Sequence, residues 1–527
     1  MVIGNIDLRD KIKQNLPVIC LVVMILVLSF YMIYWGTQKG GFHVDEMYTF
    51  MQIKGDGQTR IFRQHTFYNV WHDAADMEAF ITIAPEDAFS FARVTRNGSH
   101  PPLYFYLLHI VYSFFPGVFT IWPHIFFNLA FYIGTIIALY CLSKLLISDK
   151  YLALLPPLLW GISSAAIEFL VFMRMYMMMT FACVLFMYFA YAAITKEERS
   201  WKLLIAVTLS AYFGMMTQYY FLIIAFFISA FACLYMLLRK DIRRLFEYVA
   251  AMGVSLLLFE LIGPRTFMFV LRTGRGREAR ANLLNDNISM AERLERYVGI
   301  ISTSVFTGAN MIIVLVLLVV AIGVTFFIVR KKGIDVKSLL KSKEVALWLM
   351  TLGVCLSYAL ILSRIAPYGS FRYIGPIMPF IMLLFVSPIV YLINLLVKKT
   401  YITFLIVSVT CSVLLIANTS VNFLYRIDAE NRELLKPYVH VPMVYVSEYN
   451  PAALYWYFLD FEDQVLVTAL SGFGEEAFTE KDYENGMIIF LNTRDANENM
   501  DWYLSLSGLS DAEWLFNIRG QSVYYLS

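Results

Sequence analysis

In the stretch GGFHVDEMYTF (Gly40–Phe50), two acids, Asp45 and Glu46, stand side by side a few residues after a long apolar run. Bilayer edges favour aromatic and basic residues, so an acid pair there invites a chemical explanation. One carboxylate could take a proton from a hydroxyl as a general base, while its neighbour orients it or faces a metal ion. Successive residues on one element point in different directions, so the two are not a matched pair acting on one atom. Desolvation near lipid would raise the pKa of such a carboxylate and suit it to a base.

Three further clusters carry residues of the right type. His100 opens SHPPLYFYLLH, where Pro101-Pro102 suits a helix start. Arg174 and Tyr176 lie in FMRMYMMMTF, one turn after Glu168, and Gln218, Tyr219 and Tyr220 lie in TQYYF. Charge inside an apolar segment is costly and marks a functional candidate. The third cluster is basic: Arg265, Arg272, Arg275, Arg277 and Arg280 crowd one connector, and Arg364, Arg372 and Tyr373 fall in RIAPYGSFRYIGP. The planar guanidinium fork suits phosphate, and RTGRGREAR (272–280) reads as a flexible loop able to order over a bound lipid. Blander roles compete with each: a solvated loop acid pair, a histidine at a helix start, a snorkelling arginine, an interfacial aromatic belt.

The elements that must position these residues are membrane helices. The chain has 527 residues, of which 59% are hydrophobic and 16% charged, against 45–50% and about 25% in soluble domains. The excess lies in runs of the length that crosses a hydrocarbon core: about 17–36, 121–147, 152–168, 172–195, 203–217, 219–238, 246–268, 307–329, 345–365, 374–397 and 401–420. The segment 101–116 is apolar but short. If it spanned, the basic connector KEERSWK (196–202) would fall outside; if it lies flat at the interface, every basic connector falls inside, as the positive-inside trend requires. The expected topology has about eleven spans, a cytoplasmic N-terminus without a cleaved leader, a first outer loop over about 37–120, and an extracytoplasmic tail.

That tail, 427–527, alternates apolar strand-like runs (VPMVYV, QVLVTAL, GMIIFLN) with helical ones, which predicts a small α/β domain after a membrane domain over 1–426. The six cysteines all sit in apolar runs, so neither a disulfide nor a zinc site is expected. A net charge of +2 gives no reason to expect nucleic-acid binding.

The motifs HVDEMYT, SHPPLYFYLLH, MRMY and FRYIGPIMP, in this order, resemble the membrane glycosyltransferases with the GT-C fold, closest to the bacterial family 39 and protein-mannosyltransferase-like members, including those with an RgtA/B/C/D-like domain. The resemblance runs over about 15–400 and is sharpest over 41–180. It implies an inverting transferase that moves a sugar from a polyprenyl-phosphate donor to an envelope glycan, lipid or protein. It further implies Asp45 as base or acceptor-orienting residue with Glu46 in support, His100 near the site, Arg174 and Tyr176 as the family's Arg-x-Tyr, and Arg372-Tyr373 near the donor phosphate. Some relatives use a divalent metal; His43 and His65 lie near the acids here, but no ligand spacing compels one. A transporter or flippase is the main alternative, although paired halves with midplane sites are not evident. A non-catalytic receptor with a glycan-binding tail is a third.

Overall fold

The structure, a computed structural model, describes residues 8–55, 67–91, 94, 100–262, 274–284, 289–306, 308, 311–331, 333, 342–367, 369–446, 451–462, 465–468 and 473–527. Helix occupies every one of the apolar runs read as spans. Among the described residues, eight helices are long and apolar enough to cross a membrane, and Leu152–Gly161 with Ser164–Val171 passes the same length and composition test as a pair bent by 52°. Trp201–Thr217 is one residue shorter than the shortest of those eight, and Met311–Lys331 carries an apolar core over Leu318–Ile328. Their outward faces are apolar: Phe30 is 72% exposed and Phe327 66%. Such faces are costly in water and cost nothing against lipid. The Leu103–Tyr112 helix has 10 residues, about 15 Å of rise, which cannot cross a core of about 30 Å. It is a separate short helix, as the charge argument requires.

Two expected spans are broken, and the breaks matter. The first bends between Gly161 and Ser164. The second does not run from 172: residues 172–175 are non-helical and its helix begins at Tyr176. Polar side chains buried in the neighbouring Trp122–Leu146 helix hold both breaks. Tyr132 donates its hydroxyl to Gly161 O at 2.9 Å. The Asn128 amide reaches the carbonyls of Phe169 and Leu170 at 3.0 Å and Phe172 at 3.2 Å. A helix that ends inside apolar surroundings leaves carbonyls that water cannot reach, and Asn128 satisfies them.

The tail forms a sheet with strands β1 (Trp71–His72), β2 (Met443–Val446), β3 (Val465–Thr468), β4 (Met487–Asn492), β5 (Ala512–Ile518) and β6 (Gln521–Leu526), in the order β1-β3-β2-β4-β6-β5. The central pairs β2/β3 and β2/β4 are parallel and buried, as their apolar sequences predict. The sequence does not signal β5 and β6, whose antiparallel pairs extend the sheet from β4. Nor does it signal β1, which comes from the long loop after the first helix and pairs antiparallel with β3. The loop and the tail are therefore one folded body.

That body is joined to the first helix, α1 (Leu8–Thr37), at the glycines of the opening motif. Gly40 N donates to Leu424 O at 2.7 Å. A Cβ on Gly41 would come within 2.1 Å of Asp428 Oδ2 and 2.6 Å of Asp428 Cβ. Asp428 is held in turn by Arg519, from the β5–β6 turn, at 2.6 Å. Gly41→Ala should therefore lower stability by about 1–3 kcal/mol through overpacking. Gly253→Ala, at a helical position with open space around its Cβ, should be neutral or raise stability by up to ~1 kcal/mol. Thermal unfolding of both variants in detergent checks the contrast.

Candidate active site

The acid pair sits at the start of α2 (Val44–Lys54), the helix after α1. His43 is its N-cap, extended at φ −75° and ψ 150°, and the helix ends at Gly55 with φ 105°. Glu46 supplies the reciprocal half of a capping box: its Oε2 accepts from His43 N at 2.7 Å. The same carboxylate takes two more partners. Lys39 Nζ lies 2.9 Å from Oε1, and Met173 N donates to Oε1 at 2.8 Å. Glu46 is completely buried and Lys39 nearly so. One carboxylate thus fixes the exit of α1, the start of α2 and the break at 172–175. Burial pushes the Glu46 carboxyl up and the Lys39 amine down, each partly offset by the other. Glu46 reaches no solvent, so its part is to hold the loop that presents Asp45.

Asp45 is 22% exposed, and its Oδ2 is paired with Arg372 Nη1. Arg174 arrives from the other side: Nη1 donates to Thr49 Oγ1 at 3.1 Å and to Asp45 O at 3.3 Å. Its Nη2 meets His100 Nε2 at 2.8 Å. Arg174 is 3% exposed and lies in the helix break, so it does not snorkel to the surface. Burial opposes ionisation of Asp45, yet the Arg174 and Arg372 guanidinia outweigh it and hold the carboxyl below its usual value. This corrects the expectation of a raised pKa: desolvation is the largest single influence on both acids, but at Asp45 the neighbouring cations together exceed it, and at Glu46 they do not.

The structure thus brings together Asp45, Glu46, His100, Arg174 and Arg372. Tyr176 is buried and stacked between Phe169 and Phe172, at 5.6 and 5.9 Å. Arg372 lies 5.1 Å over the ring of Tyr373, which packs 5.1 Å from Tyr220. Tyr220 follows Gln218 and Tyr219, so TQYYF joins the Arg372 side of the site. Gln218 is buried and its amide nitrogen has no partner among the described residues. The Arg272–Arg280 segment differs from expectation: 274–284 is helix, with Arg277 exposed on it and the helix packed along Lys343–Ile365. The side chain of Arg275, with residues 263–273 and His65, lies outside the described residues.

Several positioning residues were not singled out from sequence. Glu168 accepts from Asn422 N at 2.7 Å and Phe423 N at 2.9 Å, clamping the chain just before the tail. Lys39 donates to Phe423 O at 3.0 Å, and Phe423 stacks on Phe172 at 3.9 Å. Arg293, from the Met290–Val305 helix, donates to the carbonyls of Ala366 and of Pro367 (3.1 Å), fixing the turn that carries Arg372. The only sequence signal was a polar residue inside an apolar or amphipathic run. Among the described residues, no three His, Cys, Asp or Glu side chains converge as metal ligands.

Two consequences are testable. Glu46→Gln would strand the buried Lys39 ammonium and should cost about 3–5 kcal/mol; adding Lys39→Met should recover most of it, read as thermal midpoints in detergent. Because Asp45 has a lowered pKa in the folded state, its stabilisation is complete above its unfolded value of about 3.9 and is lost as pH falls through the folded value. The difference in midpoint between the parent and Asp45→Asn should therefore be constant from pH 5 to 7 and shrink below about pH 4.

Residues 99–264 match the family of dolichyl-phosphate-mannose-protein mannosyltransferases. No curated protein matches by sequence. Among solved structures, ArnT from Cupriavidus metallidurans bound to undecaprenyl phosphate is similar over 97% of this chain and 98% of its own, at 10% identity and a TM-score of 0.54. The apo state of that protein aligns over 96% and 97%, at 10% identity and a TM-score of 0.53. The matched segment contains His100 and Arg174. The chain has the GT-C fold of ArnT over nearly its whole length, with the small sheet at its C-terminal end.

Proposed function

We propose that this protein is a membrane glycosyltransferase that moves a hexose or pentose from a polyprenyl-phosphate donor to an acceptor hydroxyl on an envelope glycan, lipid or protein, at the outer face of the membrane. The single observation that carries this is an ionised, partly exposed carboxylate, Asp45, flanked by two buried arginines. The match over 99–264 and the shared fold with a protein that binds undecaprenyl phosphate support it.

In this reading the acceptor oxygen attacks the anomeric carbon opposite the departing phosphate, so the configuration inverts. The bond from that carbon to the phosphate oxygen breaks, the new glycosidic bond forms, and the acceptor proton passes to Asp45. Arg372 and Arg174 stabilise charge on the leaving phosphate, as preorganised cations do where charge develops. Binding the phosphate at Arg372 draws that cation from Asp45, which then loses the interaction that weakens it as a base. Two guanidinia supply the positive charge the leaving group needs, which supports a reaction without an obligatory metal.

Purified protein should transfer label from a polyprenyl-phosphate sugar. Asp45→Asn should lower kcat by about 100-fold or more, and Arg372→Ala should lower kcat and raise the donor KM together. Undiminished transfer by Asp45→Asn would remove Asp45 as the base.

A further inference from the structure

His43 is the N-cap of α2, but it is an unusual one. Ser, Thr, Asp and Asn cap helices with a side-chain oxygen, whereas here Asp45 N donates to a ring nitrogen, His43 Nδ1, at 3.0 Å. An accepting Nδ1 in a neutral imidazole leaves the proton on Nε2. That nitrogen has no partner among the described residues, and the side chain is 30% exposed. The ring cannot easily turn. It meets Phe172 edge-on at 5.7 Å and Phe423 at 6.1 Å, with Tyr425 at 6.4 Å. Its Nδ1 is 3.7 Å from Asp45 Oδ2, the oxygen that Arg372 holds. Burial holds the imidazole down to about 4, with Arg372, Arg174 and Arg519 opposing its protonation and Asp45 favouring it. It therefore stays neutral through the physiological range, with its acceptor committed to the helix and its one N–H left over on a partly exposed side chain.

We propose that His43 is a substrate-contacting residue whose Nε2–H donates a hydrogen bond to a phosphate oxygen of the polyprenyl-phosphate donor, beside Arg372. This rests on the transferase reading and deepens it. A neutral donor suits that place. A third full cation next to Asp45 would depress the base further, whereas an N–H adds one directed bond to the phosphate without doing so. Using the imidazole as the cap explains how the donor is aimed: the bond that starts α2 also fixes the tautomer.

The capping and recognition roles separate experimentally, because asparagine caps a helix well but cannot place an N–H where Nε2 lies. His43→Asn in the full chain should keep the parent's thermal midpoint. It should weaken binding of undecaprenyl phosphate, used as the probe, by about tenfold or more. It should raise the KM for the donor sugar phosphate to a similar extent and leave the acceptor KM unchanged. Parent-like binding of the probe by a stable His43→Asn would overturn the proposal and leave His43 a cap only; so would a change in acceptor KM alone. If His43→Asn does not fold, His43→Ser, which also caps, is read in the same way. Failure of the parent itself to transfer sugar from any polyprenyl-phosphate donor would instead overturn the transferase reading. The probe-binding comparison would still decide whether His43 contacts a phosphate.

Discussion

The buried carboxylate of Glu46 is the interaction on which the site depends. It ties the exit of α1, through Lys39, and the entry to α2, through His43 N, to a helix break 127 residues further along the chain, through Met173 N. Losing the acceptor would leave the buried Lys39 ammonium with only the Phe423 carbonyl and would take the carboxylate from the N–H groups of His43 and Met173. Asp45 is placed because Glu46 is held. Arg174 is placed because the break next to Met173 is held. The acid pair is thus a division of labour, one member buried and structural, the other partly exposed and available for chemistry.

Electrostatics sharpen that division. Glu46 faces one buried lysine and is dominated by desolvation. Asp45 is desolvated as well, but it faces two arginines that together outweigh the burial. Neighbours in sequence are therefore pushed in opposite directions, a separation that makes acid and base roles possible within one short motif. The arginines are in turn fixed from elsewhere. Thr49 and His100 hold Arg174, and Arg293 ties down the turn that presents Arg372.

The tail belongs to this arrangement. Arg519 reaches Asp428, and Asp428 leaves room for nothing but glycine at position 41. Glu168 and Lys39 grip the residues just before the tail. A strand from the loop after α1 completes the tail's sheet. A shift of the sheet would be felt at the acid pair, four residues from Gly41, because close-packed contacts transmit displacement rather than absorb it.

The sequence by itself determined the class of the fold and much of the site. Apolar run length marked the membrane helices, charge parity set the short Leu103–Tyr112 helix apart, and alternating apolar runs gave β2, β3 and β4. Residue type picked out Asp45, Glu46, His100, Arg174 and Arg372, because charge in apolar surroundings is expensive and rarely idle. What only the tertiary structure decided were the relations between distant residues. Burial and charge environment, which set the pKa of Asp45 below its usual value and that of Glu46 above it, are properties of three-dimensional neighbours. The pairing of β1 with a strand about 390 residues later leaves no periodic trace in two residues. The roles of Lys39, Asn128, Glu168 and Arg293 could not be read for the same reason: a polar side chain in an apolar run says that a partner exists, and only the packed fold says which one.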